Sequence, residues 1–424
     1  MRRFFTFLFI ACCISATAQT VRTAGKTALE EISGNRFLAG GNNADYDRLP
    51  RDPLTPTPKG YEPYYLSHYG RHGSRWLLND RDYGMPVKTL TEARDSGKLT
   101  LLGEKTLVKL DSFYQTTKDH LGDLTPVGER QHHGIGKRMT ENFPEIFKVK
   151  NVPINAISTT SVRAILSMMA ECEELAAANP TARIHNEASR ATMYYMNASK
   201  TDEMRKLDMK ARQVQGEYES RHPDRLMQTL FNDQDWVKAH VDAGKLMSAI
   251  YDIANNMQSH DGDDTLLSLF TNEELVELWH SGNLYWYLGF ANAPQTENKM
   301  PFAQKNLLLN IIETADTVTQ TQATLRFGHD TVVLPLASLM DLDGSGVSVD
   351  DLNELDKYFR NYLIIPTACN VQMIFYRPVK GKKGDILVKV LLNEREARMP
   401  METDMWPYYK WSVVRQYYLD KLSE

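Results

Sequence analysis

The stretch Tyr64-Tyr65-Leu66-Ser67-His68-Tyr69-Gly70-Arg71-His72-Gly73-Ser74-Arg75-Trp76 decides how this chain of 424 residues is interpreted. Its aromatic and apolar first half is typical of a β-strand, and Gly70 and Gly73 allow a sharp turn where that strand ends. Inside the turn, two arginines lie on either side of His72. Arginine binds phosphoryl oxygens bidentately, and a histidine between arginines can act as a nucleophile or as an acid–base group. A solvated basic loop is the alternative, but packing does not explain so many cationic groups in so short a turn.

Two further segments place polar residues near predicted strand ends. Residues 151–158 are predicted to form a short strand that leads into a helix over residues 164–175, with Arg163 in the first turn. Helix N-termini attract anions, so Arg163 is a candidate phosphate ligand, although alone it would more often be a surface arginine. Residues 323–336 are predicted to return to strand, with Gly328-His329-Asp330 between two apolar runs.

The three predicted strand ends bring together residues that suit phosphoryl transfer. In α/β sheets, active sites collect beyond the carboxyl ends of the strands, so residues far apart in sequence converge there. Arginines and one histidine could neutralise the phosphoryl oxygens, a second histidine could attack phosphorus, and a carboxylic acid could protonate the departing oxygen. Because the arginines supply positive charge, we predict neither a metal ion nor a cofactor. The candidate site residues are Arg71, His72, Arg75, Arg163, His329 and Asp330.

This set of residues resembles the histidine acid phosphatase branch of the histidine phosphatases, which includes phytases and multiple inositol polyphosphate phosphatases. The resemblance covers nearly the whole chain after the first 18 residues. It implies that His72 forms a phosphohistidine and that Asp330 donates a proton to the leaving group. The implied phosphate ligands are Arg71, Arg75, Arg163 and His329. The motifs that carry the resemblance are Arg71-His72-Gly73-Ser74-Arg75, Leu124-Thr125…Gly128…Gln131, Ser158…Arg163-Ala164 and His329-Asp330.

The resemblance also implies a fold class and a domain organisation. The fold is a three-layer α/β core with a central, mostly parallel sheet and an inserted α-helical domain. Helix patterns dominate residues 198–295, which we predict to be the insertion, and residues 19–197 and 296–424 then form the core. Within the insertion, Thr271-Asn272-Glu273-Glu274 is a capping box. The aromatic residues of segment 278–290 are expected to pack in the helix core rather than to stack on a ligand.

Other elements are predicted from their local patterns. Residues 19–59 are polar and rich in Gly, Asn and Pro, so irregular structure is expected there. Residues 86–147 are predicted to be helical, with a helix that begins at Thr125-Pro126. Near the end of the chain we expect an antiparallel hairpin of residues 368–376 and 386–392, followed by an amphipathic helix over residues 408–422.

The substrate is predicted from details of the motifs. The usual acid phosphatase form is Arg-His-Gly-x-Arg-x-Pro, and Leu77 occupies the proline position here. Arg-His-Gly-Ser-Arg followed by an aromatic residue is more like the inositol polyphosphate phosphatases, but those usually carry His-Ala-Glu in place of His329-Asp330-Thr331. Bacterial phytases often read His-Asp-Thr-Asn, and the fourth position here is Val332. We predict hydrolysis of phytate or other inositol polyphosphates. The alternatives are an acid phosphatase for sugar phosphates or nucleotides and a non-catalytic phosphate-binding protein.

The N-terminus is typical of a signal peptide. Arg2-Arg3 precede the apolar residues 4–14, and Ala16-Thr17-Ala18 fits a cleavage site, so we expect export to a periplasm or the exterior with cleavage after Ala18. Lipoprotein anchoring through Cys12 or Cys13 is a poorer match. No later apolar run is long enough for a transmembrane helix. The formal net charge of −5, without a basic stripe, argues against nucleic acid and leaves a small phosphorylated substrate as the expected partner.

Three further signals concern the cysteines and possible metal ions. After cleavage, Cys172 and Cys369 remain, either as a disulfide or as two buried thiols. Asp341-Leu342-Asp343-Gly344-Ser345-Gly346 matches the first half of an EF-hand calcium loop, but Leu352 occupies the position of the bidentate glutamate. An Asp/Gly turn before a helix is the simpler interpretation. The side chains of His132-His133 point about 100° apart on the predicted helix, so they are not expected to share a metal.

Overall fold

The computed structural model of the protein describes residues 25–262 and 265–423. The predicted signal peptide and the possible lipoprotein cysteines, Cys12 and Cys13, therefore lie outside the described residues. Within the two described ranges, no helix combines the length and the apolar character needed to cross a membrane.

The strands belong to one mixed sheet. They are β1 (Tyr61–Arg71), β2 (Pro153–Ser158), β3 (Arg183–Ala188), β4 (Gln322–Gly328), β5 (Asn370–Pro378), β6 (Leu387–Leu392), β7 (Arg395–Glu396) and β8 (Tyr409–Lys410). Their order is β3-β2-β4-β1-β5-β6-β7, and β8 pairs with β6. β1 to β4 pair in parallel, whereas the pairs that involve β5 to β8 are antiparallel. The prediction of an α/β core around a mostly parallel central sheet is confirmed.

Parallel pairing brings three strand ends to the same edge of the sheet. Arg71 of β1 pairs with Gly328 of β4, and Ser158 of β2 pairs with Phe327. The residues that follow β1, β2 and β4 therefore start from neighbouring positions at the carboxyl edge. This is the convergence that the sequence predicts for the polar residues that follow the three strands.

Helices cover both faces of the sheet and build a further apolar core beside it. They are α1 (Ala28–Gly34), α2 (Asp80–Asp95), α3 (Leu101–Thr116), α4 (Pro126–Asn142), α5 (Pro144–Phe147), α6 (Val162–Ala178), α7 (Met193–Met196), α8 (Asp202–Tyr218), α9 (Asp224–Leu230), α10 (Gln234–His240), α11 (Ala243–Asn256), α12 (Asn272–Phe290), α13 (Lys305–Thr317), α14 (Asp330–Met340), α15 (Leu355–Tyr358), α16 (Asn361–Ile364) and α17 (Trp411–Ser423).

Alternating residues of β1 show how the layers form. Tyr65 and Tyr69 pack in one core with residues of α13, α14 and α17, whereas Leu66 faces the opposite core with residues of α4, α5 and α6. A third core joins α2 and α3 to α9, α11 and the first half of α12. The domain assignment of residues 198–295 stays a prediction, and part of that segment shares a core with α2 and α3.

The predicted strand over residues 331–336 is wrong, because these residues belong to the helix α14. Every residue from 332 to 340 is buried, so the apolar run shows no alternation that could separate a strand from a helix. The β-branched residues Thr331, Val332 and Val333 favour a strand, but packing decides the conformation here. The helix places two candidate site residues at its start: His329 is the extended N-cap residue of α14, and Asp330 is its first residue.

Residues 25–59, the described part of the segment predicted to be irregular, contain helical structure. α1 begins after Thr27, whose hydroxyl oxygen accepts a hydrogen bond from the backbone N–H of Glu30. The Glu30 carboxylate in turn accepts from the backbone N–H of Thr27, which completes a capping box that the sequence carries. A 3₁₀ helix, Arg36–Asn43, follows and leads to the candidate site.

Other predictions agree with the structure. α4 begins with Thr125 as N-cap, whose hydroxyl accepts from the N–H of Gly128, and β5 and β6 form the expected antiparallel pair. Cys172 and Cys369 are free, buried thiols, so the disulfide alternative does not apply. In the former EF-hand candidate, Asp341 Oδ1 accepts from the backbone N–H of Gly346, as expected for an Asp/Gly turn.

We predict that Leu325→Ala, in the middle of β4, lowers the free energy of unfolding by about 2–5 kcal/mol, because it leaves a cavity in a closed core. Val108→Ala on α3 is the control, since its side chain is 66% exposed. Urea unfolding of both variants measures the difference. Equal stability losses would contradict the assignment of Leu325 to the core.

Candidate active site

The nucleophile candidate, His72, follows directly after β1 and is buried. Its backbone N–H donates to the carbonyl oxygen of Gly328 over 2.9 Å, which ties it to the end of β4. Its ring Nδ1 lies 2.8 Å from the carbonyl oxygen of Gly73. A carbonyl oxygen only accepts, so Nδ1 carries the proton and donates. The neutral ring therefore has its lone pair on Nε2.

The charge state of His72 is set by its surroundings. Burial lowers its pKa well below the ordinary value, and the positive charge of Arg71 lowers the pKa further. His329, Arg163 and Arg75 act in the same direction. The imidazole is thus held neutral, which is the form that can attack an electrophile.

A close approach between two backbone segments shapes the turn around His72. A Cβ atom on Gly73 would overlap the carbonyl of Gly128 at the start of α4, and a Cβ on Gly128 would overlap the carbonyl oxygen of Ser74. The Ser74 carbonyl also accepts from the backbone N–H and the hydroxyl of Thr125, over 2.9 and 3.1 Å. Only glycine fits at both contact points.

Arg71 is fully buried, and both of its terminal nitrogens contact oxygen atoms of the protein. Nη1 donates to the carbonyl oxygens of Asn42, Ile365 and Pro366, the last two over 3.2 and 3.1 Å. Nη2 lies 2.9 Å from Asp330 Oδ2. Nε is buried and has no hydrogen-bond partner among the described residues. The Nε–H group of this fixed guanidinium can therefore donate to a ligand.

Two more arginines add positive charge. Arg163, in the first turn of α6, has a weak 3.5 Å contact from Nη1 to the carbonyl oxygen of Gly122, and its buried Nε lacks a partner in the described part of the chain. Arg75 Nη1 donates to the carbonyl oxygen of Trp76 over 2.8 Å. Burial and the charge of Arg71 lower the pKa of Arg75 to about 10. Like charges placed this close favour the binding of an anion.

His329 and Asp330 complete the site at the start of α14. The ring centroids of His329 and His72 lie 5.6 Å apart, and burial lowers the pKa of His329 to about 4. Burial alone would raise the pKa of Asp330, but the Arg71 guanidinium and the Asn42 amide hold it below its ordinary value. Asn42 Nδ2 donates to Asp330 Oδ2 over 3.1 Å.

The structure brings together all six residues that the sequence selects. Arg71, Arg75, Arg163 and His329 lie close enough to act electrostatically on His72, and Asp330 is paired with Arg71. The site thus combines a neutral histidine nitrogen, one carboxyl group and buried N–H donors that have no partner among the described residues.

Comparison with known families identifies the chain. The profile of the histidine phosphatase superfamily (branch 2) matches residues 71–393, which include every candidate site residue. The chain belongs to this superfamily. It is therefore a phosphatase, and the site at the carboxyl edge of the sheet is the candidate active site of a histidine phosphatase. A search of curated protein sequences finds no match.

Solved structures share the fold at low sequence identity. The multiple inositol polyphosphate phosphatase of Bifidobacterium longum, in complex with inositol hexasulfate, has a TM-score of 0.72 and 18% identity, covering 88% of this chain and 96% of that one. The phytase of D. castellii has a TM-score of 0.68 and 15% identity, covering 92% of this chain and 85% of that one. The Hafnia alvei phytase has a TM-score of 0.51 and 12% identity, covering 86% of this chain and 98% of that one.

Sequence reasoning missed several residues that support the histidine phosphatase site. Asn42 lies in the segment predicted to be irregular, and a single asparagine there gives no signal. Gln131 is part of the motif after Thr125, and the motif does not reveal its contact: its Oε1 accepts from the backbone N–H of Ser74 over 2.9 Å. The adjacent pair His132-His133 suggests a metal ligand rather than a contact with the turn. The helix pattern could have found both, since they follow Gly128 on the side of α4 that faces the turn.

We predict that His72 is neutral at pH about 6, where an unperturbed imidazole is mostly protonated. The cause is burial together with the neighbouring guanidinium groups. ¹⁵N NMR of the full chain measures the protonation of both ring nitrogens, and the spectrum of His72→Ala assigns the signal. A doubly protonated ring at that pH, without added phosphate, would contradict the described site.

Proposed function

We propose that this phosphatase hydrolyses inositol polyphosphates, phytate included, through a phosphohistidine at His72 and without a metal ion. The observation that carries the proposal is that one site contains both a neutral His72 ring and the buried Nε–H groups of Arg71 and Arg163. These two N–H groups lack partners among the described residues. Buried polar groups are normally satisfied, so these two donors favour an anionic ligand.

The reaction then has two displacements. The lone pair on His72 Nε2 forms a bond to phosphorus while the bond from phosphorus to the leaving oxygen breaks, and Asp330 gives its proton to that oxygen. Next, water attacks the phosphohistidine, Asp330 takes a proton from that water, and the nitrogen–phosphorus bond breaks. Inorganic phosphate leaves, and His72 and Asp330 return to their starting states.

The arginines supply the charge stabilisation in both steps. Arg71, Arg75 and Arg163 are cations that lie around His72, so they can stabilise the transferring phosphoryl group as a metal ion would. In the free protein, Arg71 and Asn42 favour the carboxylate form of Asp330. A bound phosphate monoester shares the Arg71 charge, which raises the pKa of Asp330 toward the form that donates a proton. Because the donor must be protonated, we propose an acidic optimum.

A cavity beside Asp330 suits the leaving alcohol. It has a volume of about 280 Å³ and is lined by Asn42, which contacts Asp330, and by Tyr285 of α12. Burial raises the pKa of Tyr285, and the charges of Asp208 and Asp330 act in the same direction. None of the six candidate site residues lines this cavity or a larger one of about 790 Å³ between residues 218–225 and 273–281. The smaller cavity is the better place for an inositol ring because its lining includes Asn42, which contacts Asp330. The motif likeness to inositol polyphosphate phosphatases also supports this substrate class.

The lining of the same cavity favours a second candidate, a broader acid phosphatase for sugar phosphates or nucleotides. Most of its side chains are neutral and form hydrogen bonds, including Gln215, Ser248 and Asn255. Its Arg221 is paired with Glu219 at 3.1 Å, so the positive charge of this arginine is already matched. A leaving group with hydroxyls and few further phosphates suits such a lining.

We further propose that the protein is exported to a periplasm or the exterior. The support is the charged and apolar pattern of residues 1–18 with its small-residue cleavage site.

We predict that the native protein releases phosphate from phytate in the presence of EDTA and that His72→Ala loses activity by at least about a thousandfold, as expected when a nucleophile is removed. His240→Ala, on the exposed side of α10, is the matched control and should keep native activity. Turnover of an aryl phosphate but not of phytate would keep the mechanism and discard the substrate. Full activity of His72→Ala would reject the mechanism.

We predict that Asn42→Ala shifts the alkaline limb of the pH profile of kcat/KM to higher pH. The Asn42 amide lowers the pKa of Asp330, so its removal raises that pKa and keeps the donor protonated at higher pH. The backbone carbonyl of Asn42, which accepts from Arg71, is retained. Asn43→Ala, which changes the same cavity, is the control. An unchanged limb in Asn42→Ala would argue against Asp330 as the proton donor.

A further inference from the structure

A buried acid–base pair below the active site is not used by the proposed reaction. His132 of α4 and Glu171 of α6 are both 0% exposed, and His132 Nδ1 lies 3.1 Å from Glu171 Oε2. Two titratable side chains without solvent contact are costly unless they are hydrogen-bonded to each other and to the backbone. Such a pair therefore needs a structural or functional reason.

The second nitrogen of His132 connects this pair to the active-site turn. His132 Nε2 lies 3.1 Å from the carbonyl oxygen of Arg71, the residue directly before His72. Because a carbonyl oxygen only accepts, Nε2 carries a proton and donates it. The Nδ1 nitrogen then shares one further proton with Glu171, either as imidazolium and carboxylate or as imidazole and carboxylic acid. In both states, His132 donates to Arg71.

The hydrogen bond from His132 to the Arg71 carbonyl oxygen lies where β1 ends and the turn begins. Arg71 N–H donates to the carbonyl oxygen of Cys369 over 2.8 Å, and the backbone N–H of His72 donates to that of Gly328. The Arg71 carbonyl oxygen is therefore the remaining backbone group of Arg71, and His132 satisfies it. On the other side of His72, Gln131 contacts the backbone N–H of Ser74. Two consecutive side chains of α4 thus bind the backbone on both flanks of the nucleophile.

The helix α6 links the same turn to the phosphate ligand. Arg163, Ser167 and Glu171 are spaced by four residues, so they lie along one face of α6. Ser167 Oγ accepts from the backbone N–H of Gly73 over 3.1 Å, and Glu171 contacts His132. One rigid helix therefore carries a candidate phosphate ligand at its start and supports the nucleophile from its second and third turns.

We propose that His132, oriented by Glu171, is a positioning residue that sets the Arg71–His72 peptide so that His72 Nε2 lies in line with the phosphorus bound by Arg163. This inference rests on the proposed function, because it requires His72 to be the nucleophile. The reasons are the donor–acceptor geometry at the Arg71 carbonyl and the shared helix α6. Misplacement of a nucleophile by about 1 Å costs on the order of a hundredfold in rate, whereas ground-state binding of phosphate changes little.

Two substitutions separate positioning from packing. His132→Leu fills the space but cannot donate to the Arg71 carbonyl, and His132→Gln restores an N–H donor. We expect the rate of His72 phosphorylation by p-nitrophenyl phosphate, measured by rapid quench, to fall about 10- to 100-fold in His132→Leu. We expect His132→Gln to recover most of that rate. The affinity for inorganic phosphate should stay within about threefold of native in both variants, as expected when only the attack geometry changes.

A spectroscopic measurement on the native protein keeps the proposal falsifiable if His132→Leu does not fold. ¹⁵N and ¹H NMR should find a proton on His132 Nε2 in a hydrogen bond, and an unprotonated Nε2 would overturn the proposal. Native phosphorylation rates in His132→Leu would also overturn it, as would a loss of rate in His132→Gln as large as in His132→Leu. If native His72 is never phosphorylated, the proposed function fails and this inference fails with it; the native rate distinguishes the two cases.

Discussion

The buried guanidinium of Arg71 is the group on which the active site depends. A cation with 1% exposure is costly unless most of its N–H groups have partners, and three carbonyl oxygens together with Asp330 bind both terminal nitrogens of Arg71. Those partners come from the N-terminal 3₁₀ helix, from the segment before β5 and from the start of α14. Through one side chain, three distant parts of the chain are brought to the end of β1.

The sheet and α4 make this arrangement possible. Parallel pairing of β1, β2 and β4 puts their carboxyl ends side by side, and the contact between Gly73 and Gly128 lets α4 approach the turn. This close packing also keeps His72 neutral, because it excludes water from the imidazole and places the arginine cations around it. Burial and the crowding of like charges together keep the imidazole neutral and leave guanidinium N–H groups without a partner in the described part of the chain. These are the properties that a phosphoryl group needs in its binding site.

Much of this organisation can be predicted from the sequence, for identifiable reasons. The Arg-His-Gly-x-Arg turn and the helix start at Thr125-Pro126 are local signals, since they depend on residues within a few positions of one another. The helical conformation of residues 331–336 is not evident from the sequence, because a run that is buried from residue 332 onward has no polar face to reveal its period. Asn42 could not be predicted as a partner of Asp330, because the contact joins residues 288 positions apart and depends on how Arg71 is held. The contact of His132 with the Arg71 carbonyl depends in the same way on tertiary packing.

The most direct test of the account is to locate the phosphoryl group during turnover. The full chain would be mixed with ³²P-labelled phytate, quenched in alkali within milliseconds, and digested for peptide mapping. We predict that the label lies on the peptide that contains His72 and that it is stable in alkali and lost in acid. Steady phosphate release without labelled protein, or label on another residue, would contradict the assignment of His72 as the nucleophile.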